Sequence, residues 1–169
     1  VDWTSYANEA LERVNAGVYY VWMKVDTANE LNYNSIAPSR LGSVEIKPQP
    51  VTVETAPTVI TRTYNGQPQP LFETAGVVGT AMSNIAKIQY RISKTPDGSC
   101  NDNWVDDINA EALRKAPFGQ YEVQYRYVLA DNITNEDRNN YTENEPVTLV
   151  VNINKGWATI TKEATAKSD

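Results

Sequence analysis

The chain of 169 residues contains no histidine and a single cysteine, Cys100. Without histidine there is no Ser–His or Cys–His nucleophile arrangement and no histidine-liganded zinc. One cysteine excludes multi-cysteine zinc sites and any internal disulfide, so packing alone must hold the fold. Cys100 lies in the polar stretch PDGSCNDN and reads as an exposed thiol with no role. Paired carboxylates remain as a route to acid–base chemistry. Neither acidic cluster, however, has a signature of glycoside hydrolysis, which sets two carboxyl groups apart across a cleft. Basic residues are also in deficit, with 15 Lys and Arg against 21 Asp and Glu and a net charge of −6. No basic patch of the kind a nucleic-acid binder uses is present; the surplus of acid favours solubility and mutual repulsion. No apolar run approaches the length needed to span a membrane. The expectation is a protein that is not an enzyme, binds no nucleic acid and has no membrane span in this stretch.

What the sequence does contain is strand composition. Hydrophobic residues make up 41%, and there are ten Tyr. Val, Ile, Thr and Tyr dominate the apolar stretches, as expected on a pleated, half-buried surface. Nine Pro and eight Gly fall mainly between those stretches, as turn and linker punctuation.

One segment occurs twice. Residues 3–25 read WTSYANEALERVNAGVYYVWMKV, and residues 104–127 read WVDDINAEALRKAPFGQYEVQYRY. Glu9-Ala10-Leu11 aligns with Glu111-Ala112-Leu113, and Gly17-Val18-Tyr19 with Gly119-Gln120-Tyr121, at an offset of 102. Asn32-Tyr33-Asn34 corresponds to Asn140-Tyr141-Thr142 after a longer loop, and Val44-Glu45-Ile46 to Val151-Asn152-Ile153 at an offset of 107. A period slightly over 100 residues is too long for a solenoid unit and suits an independent β-sandwich. Residues 1–50 then form the C-terminal half of one repeat, 51–157 a complete repeat, and 158–169 the start of the next repeat or a linker. The expectation is a piece of a longer tandem array.

Period-two alternation identifies the shared strand. Tyr19, Val21, Met23 and Val25 share one face, matching Tyr121, Val123, Tyr125 and Tyr127, and that face is predicted to be core. The outer faces differ: Val18, Tyr20 and Trp22 in the first copy stand against Gln120, Glu122 and Gln124 in the second. Further strands are predicted over 41–46, 51–54, 58–64, 86–93 and 147–153, with Asn65-Gly66 as a hairpin turn and KPQP at 47–50 as a stiff linker. The EAL segments are expected to be a helical turn or an irregular crossover. The predicted fold is all-β, an Ig-like antiparallel β-sandwich in tandem repeats. A β-grasp-like α+β fold, one helix on a mixed sheet, is the alternative.

The motif TYNGQPQPLF at 63–72 resembles the opening of the bacterial surface repeats called MBG or YDG domains, in which a strand ending Tyr-(Asn or Asp)-Gly is followed by a Gln and an apolar pair. NAGVYYVWMKVDTANELNYN at 15–34 is similar to their second signature, and VEIKPQPVTV and VNINKGWATIT to their repeat junctions. The complete repeat departs from the pattern in Pro117-Phe118 before its Gly-x-Tyr strand and in a longer loop, ADNITNEDRNNY. The resemblance implies a spacer repeat of an extracellular, cell-surface bacterial protein or adhesin that displays a distal binding domain. It supplies no catalytic residues. Partners would be adjacent repeats of the same chain, or a glycan or host surface.

Candidate sites follow from what is unusual. An apolar outer face of Val18, Tyr20 and Trp22 is expected to contact something, whether protein or, through flat aromatic rings, a sugar. Trp157, at a repeat junction, is expected to pack between domains, and Trp3 and Trp104 to be core or core-edge. Asp131, Asn135, Glu136 and Asp137 crowd one loop with the oxygen ligands calcium prefers, although no EF-hand frame is present; otherwise no cofactor is expected. Asp97, Asp102, Asp106 and Asp107 form a second acidic cluster, read as solvated. A Lys-to-Asn cross-link would need a buried strand lysine, and neither Lys24 nor Lys87 reads as one. Two other functions stay open: a carbohydrate- or host-ligand-binding module using Tyr20 and Trp22, and a non-catalytic accessory domain of a secreted enzyme.

Overall fold

The computed structural model describes residues 12–27, 32–100 and 102–158. Among the described residues strand accounts for 49% and there is one short α-helix, so the fold is all-β. The chain divides into two compact units, one made of Val1–Pro50 with Leu129–Thr142, the other of Val51–Val128 with Glu143–Asp169. The EAL segment of the first copy, Trp3 and residues 159–169 lie outside the described residues.

The second unit is organised by the strand Gly119–Leu129. Its alternation is expressed as predicted: Tyr121, Val123, Tyr125 and Tyr127 are buried, whereas Gln120, Glu122, Gln124 and Arg126 retain solvent contact. It pairs antiparallel with Val147–Asn154, Gly119 opposite Ile153 and Tyr121 opposite Val151. Ala86–Lys94 lies on its other side, and Arg62–Thr63 completes a four-stranded sheet beyond Val147–Asn154. Leu71, Phe72, Met82, Tyr90, Ile92 and Leu113 join this face in the core, with the Phe72 and Tyr90 rings edge to face at 5.1 Å. Every fully buried residue among those described is apolar. The hydroxyls of the buried tyrosines reach the edge of the core: Tyr127 donates to the Thr55 carbonyl at 3.2 Å, and Tyr90 accepts from the Gly76 N–H at 3.3 Å.

The predicted strand 58–64 is divided. Thr58–Val59 pairs antiparallel with Phe72–Thr74; Asn65-Gly66, where Gly66 has φ +81°, lies inside the long connection between them and does not close the predicted hairpin, because Arg62–Thr63 and Gln69–Pro70 pair elsewhere. Arg62–Thr63 leaves that pair and joins Ile153 and Asn154 in parallel. The exposed edge of the apolar strand Val147–Asn154 thereby gains hydrogen-bonding partners, which an edge requires. Glu111–Leu113 forms a single 3-10 turn. It seats Leu113 in the core with 1% of its surface exposed.

In the first unit Gly17–Val25 pairs antiparallel with Ile36–Ile46, Gly17 opposite Ile46 and Tyr19 opposite Val44. Under the two offsets these are the same pairings as Gly119 with Ile153 and Tyr121 with Val151. Two further features coincide. Gly17 and Gly119 both have positive φ, 153° and 138°. Tyr19 donates its hydroxyl to the Asn15 carbonyl at 2.8 Å, as Tyr121 does to the Pro117 carbonyl at 2.6 Å. The second strand starts earlier than predicted, at Ile36. It tolerates Pro38 because the register shifts between Met23 and Val25, opposite that stretch. The KPQP segment is more than a linker: Gln49–Pro50 pairs in parallel with Tyr141–Thr142.

The shared glycines give a graded prediction. Gly119→Ala places a Cβ 2.6 Å from Pro96, at a φ that L-residues avoid, whereas Gly17→Ala meets nothing closer than 3.8 Å. Backbone strain of this kind costs about 1–3 kcal/mol. Gly119→Ala is expected at the top of that range or above and Gly17→Ala at the bottom, read from urea unfolding of each variant. Equal losses would show that the Pro96 contact relaxes freely.

Candidate functional site

The strand Gly17–Val25 puts Val18, Tyr20 and Trp22 on one face by simple alternation, and all three are exposed, at 55%, 57% and 46%. The Arg40 guanidinium sits over the Tyr20 ring at 4.2 Å. The opposite face, predicted as core, is only part-covered: Tyr19 and Val21 are half-buried, while Met23 and Val25 are exposed. Among the described residues, the covering layer that buries the equivalent face of the second unit has no counterpart here. Trp157 is 97% exposed.

The acidic loop folds in a way its composition did not suggest. Asn135–Asn140 is a helix whose N-cap, Thr134, accepts from the Asp137 N–H and donates to the Asp137 carboxylate at 2.7 Å. Thr134-x-x-Asp137 is a capping pattern, and that signal was legible in the sequence. Asp137 is therefore engaged in a cap. Among the described residues no three His, Cys, Asp or Glu side chains converge where a metal would sit. Asp131, Glu136 and Asp137 form no such group.

The second acidic cluster is dispersed into separate contacts. Asp97 accepts from the Thr95 hydroxyl, the Ser99 N–H at 3.0 Å and the Ser99 hydroxyl at 2.8 Å, which staples a turn. These bonds, Thr95 first, hold its carboxyl down at about 2. Asp102 pairs with Arg91 at 2.9 Å. Asp106 pairs with Lys87 at 2.9 Å and accepts from Gln89 at 2.8 Å, and these partners lower its pKa. Lys87 keeps part of its side chain in solvent, at 26%.

A feature that sequence reasoning missed surrounds Trp104, expected in or near the core. It is half-buried and lies between two guanidinium groups, Arg91 at 4.5 Å and Arg126 at 4.3 Å. Arg91 donates to Gln124 at 2.8 Å and Arg126 to Gln89 at 2.7 Å. Cation–π contact of this kind attracts a guanidinium to the ring face by about 0.5–1 kcal/mol at an exposed site. The signal was the matched alternation of Gln89-x-Arg91 and Gln124-x-Arg126 on neighbouring strands.

Two grooves occupy the same place at the end of each antiparallel pair. In the second unit, about 480 Å³ is lined by Tyr64, Ala116, Pro117, Phe118, Lys155 and Gly156, with the Lys155 ammonium 5.0 Å from the Phe118 ring centre. In the first, about 220 Å³ is lined by Val14, Ala16, Ile46, Lys47, Gln49, Asn140 and Tyr141.

Burial sets the upward titration shifts. Tyr127 is pushed up to about 12, mainly by burial and then by the neighbouring Tyr125 and Tyr90; Tyr90 and Tyr121 are also raised by burial. A raised folded-state pKa gives stability that is complete below the ordinary tyrosine value near 10 and lost as pH climbs through the folded value. With no histidine, no side chain changes charge at its ordinary value between about pH 5 and 8. Melting temperature is expected to be flat across neutral pH and to fall above about pH 10. Tyrosinate absorbance should rise late and cooperatively for Tyr90, Tyr121 and Tyr127. All ten tyrosines ionising together near pH 10 would contradict this.

No protein-family model matches this chain, and comparison with curated proteins and with solved structures returns no match.

Proposed function

We propose that this chain is a structural repeat stretch of an extracellular bacterial surface protein, of the MBG or YDG kind, in which Ig-like β-sandwich units space and display a distal binding domain. The observation that supports this is the duplication. Two strand pairs share one register, the same positive-φ glycine at the strand start and the same tyrosine-to-backbone clasp four residues back. Copies of one supersecondary unit in one chain extend reach and repeat a surface. The acidic surplus keeps such units apart from one another in solution.

Pulling the chain between its ends tests the reading. A spacer under tension should give a resolved unfolding event for residues 51–157, releasing on the order of 35 nm of contour at 3.3–3.6 Å per residue. Extension without a force peak would count against it.

A second reading is favoured by one observation, the exposure of Val18, Tyr20 and Trp22. It takes that face as a platform for a carbohydrate or host ligand. Binding on a glycan array that Trp22→Ala abolishes would establish this reading in place of the spacer. The exposure of Met23 and Val25 on the opposite face weighs against a one-sided platform.

A further inference from the structure

In the first unit the groove at the end of the strand pair is held by a tripeptide from a distant part of the chain. Asn140 accepts from the Ala16 N–H at 2.7 Å and donates to the Asn15 side-chain oxygen at 2.9 Å. Tyr141 and Thr142 then run parallel to Gln49 and Pro50. This tripeptide ends the longer loop of the second copy and aligns with Asn32-Tyr33-Asn34 of the first.

The repeat offsets carry the first groove onto the second. Val14, Ala16 and Gln49, which line the first, become Ala116, Phe118 and Gly156, which line the second. Pro50, the partner of Thr142, becomes Trp157. Among the described residues, the parallel segment at the second groove is Arg62–Tyr64, which pairs with Ile153 and Asn154 and sets the Tyr64 carbonyl against Gly156, leaving Phe118 and Trp157 exposed. The rim of this groove is apolar and uncovered, with Phe118 54%, Tyr64 46% and Trp157 97% exposed. Ala16 has been exchanged for Phe118 and Pro50 for Trp157, so the open groove offers a larger apolar surface than the held one.

We propose that the groove formed by Tyr64, Ala116, Pro117, Phe118, Lys155 and Gly156 takes the Asn-Tyr-Thr loop of another repeat of this kind. This rests on the repeat reading above. The loop's asparagine accepts from the Phe118 N–H, at the position of the Ala16 N–H, and its tyrosine and threonine run beside Trp157, past the Tyr64 carbonyl that covers Gly156. Lys155, which replaces Pro48, adds an attraction for the acidic loop, where Glu136, Asp137, Glu143 and Glu145 flank the tripeptide. Each repeat would so clasp the one before it, coupling neighbours by backbone pairing rather than by linker stiffness.

The test is a titration of the isotope-labelled chain with a synthetic peptide of residues 134–145, followed by amide chemical shifts. Shifts centred on Phe118, Lys155, Gly156 and the Trp157 indole are expected. Affinity should fall at least tenfold when the peptide carries Asn140→Ala, or when the chain carries Phe118→Asp. Phe118 is half-exposed, so that variant keeps its dispersed spectrum. Three results would overturn the proposal: no shift at millimolar peptide, shifts confined to Ala16 and Gln49, or equal binding of the Asn140→Ala peptide. The force measurement does not involve the groove, so failure of the clasp and failure of the spacer reading are told apart.

Discussion

Val123→Lys is expected to unfold the second unit, while Val21→Lys, at the equivalent position of the repeat, leaves the protein folded. Val123 has 0% of its surface exposed and lies opposite Leu149 in an interior strand of the four-stranded sheet. Burying an ammonium there costs several kcal/mol even after its pKa falls, and the valine's own burial, about 1.5–3 kcal/mol, is lost as well. A domain of this size is stable by about 5–15 kcal/mol, so the change removes most or all of it. Val21 is half-buried and faces Gly42 across the pair. A lysine there runs its stem along the strand and keeps its charge in water, for a change within about 1 kcal/mol. Circular dichroism and amide dispersion of the two variants check this. Similar losses for both would mean that the Val21 face is covered in solution.

Leu71→Ala should cost about 3 kcal/mol, within the 2–5 kcal/mol found for leucine truncation in packed cores, and lower the melting temperature by roughly 10 °C. Leu71 is fully buried. Its backbone is tied on both sides, accepting from the Ile60 N–H and donating to the Leu113 carbonyl, each at 3.4 Å, so the site has little freedom to collapse into the cavity. Leu41→Ala, at a residue 62% exposed, should stay within about 0.5 kcal/mol. Calorimetry of both variants measures the contrast, and a small effect at Leu71 would show that the surrounding layer closes over the lost side chain.

Much of the local structure was legible because it depends on period and on turn chemistry. Alternation located Gly119–Leu129 and its buried face, and the repeated Gly-x-Tyr marked where both strands begin. The helix Asn135–Asn140 escaped notice although its capping residues were present, because a polar six-residue segment has no apolar face to betray it. The division of 58–64 was not legible either. A strand can satisfy its backbone with either of two neighbours, and local sequence does not say which is nearer.

By itself the sequence determined the strand content, the duplication, the face of each repeated strand suited to a core, and the absence of histidine and of any internal disulfide. These follow from residue types and spacing alone. Tertiary structure decided which copies of those faces are covered. Val21 and Val123 are one residue in two contexts: the layer of Leu71, Phe72 and Leu113 meets the second strand, and no such layer among the described residues meets the first. It also decided that Asn140 and Tyr141 hold the end of the first pair while Phe118 and Trp157 stand open. Contacts between residues more than a hundred positions apart depend on the whole path of the chain, which no local pattern encodes.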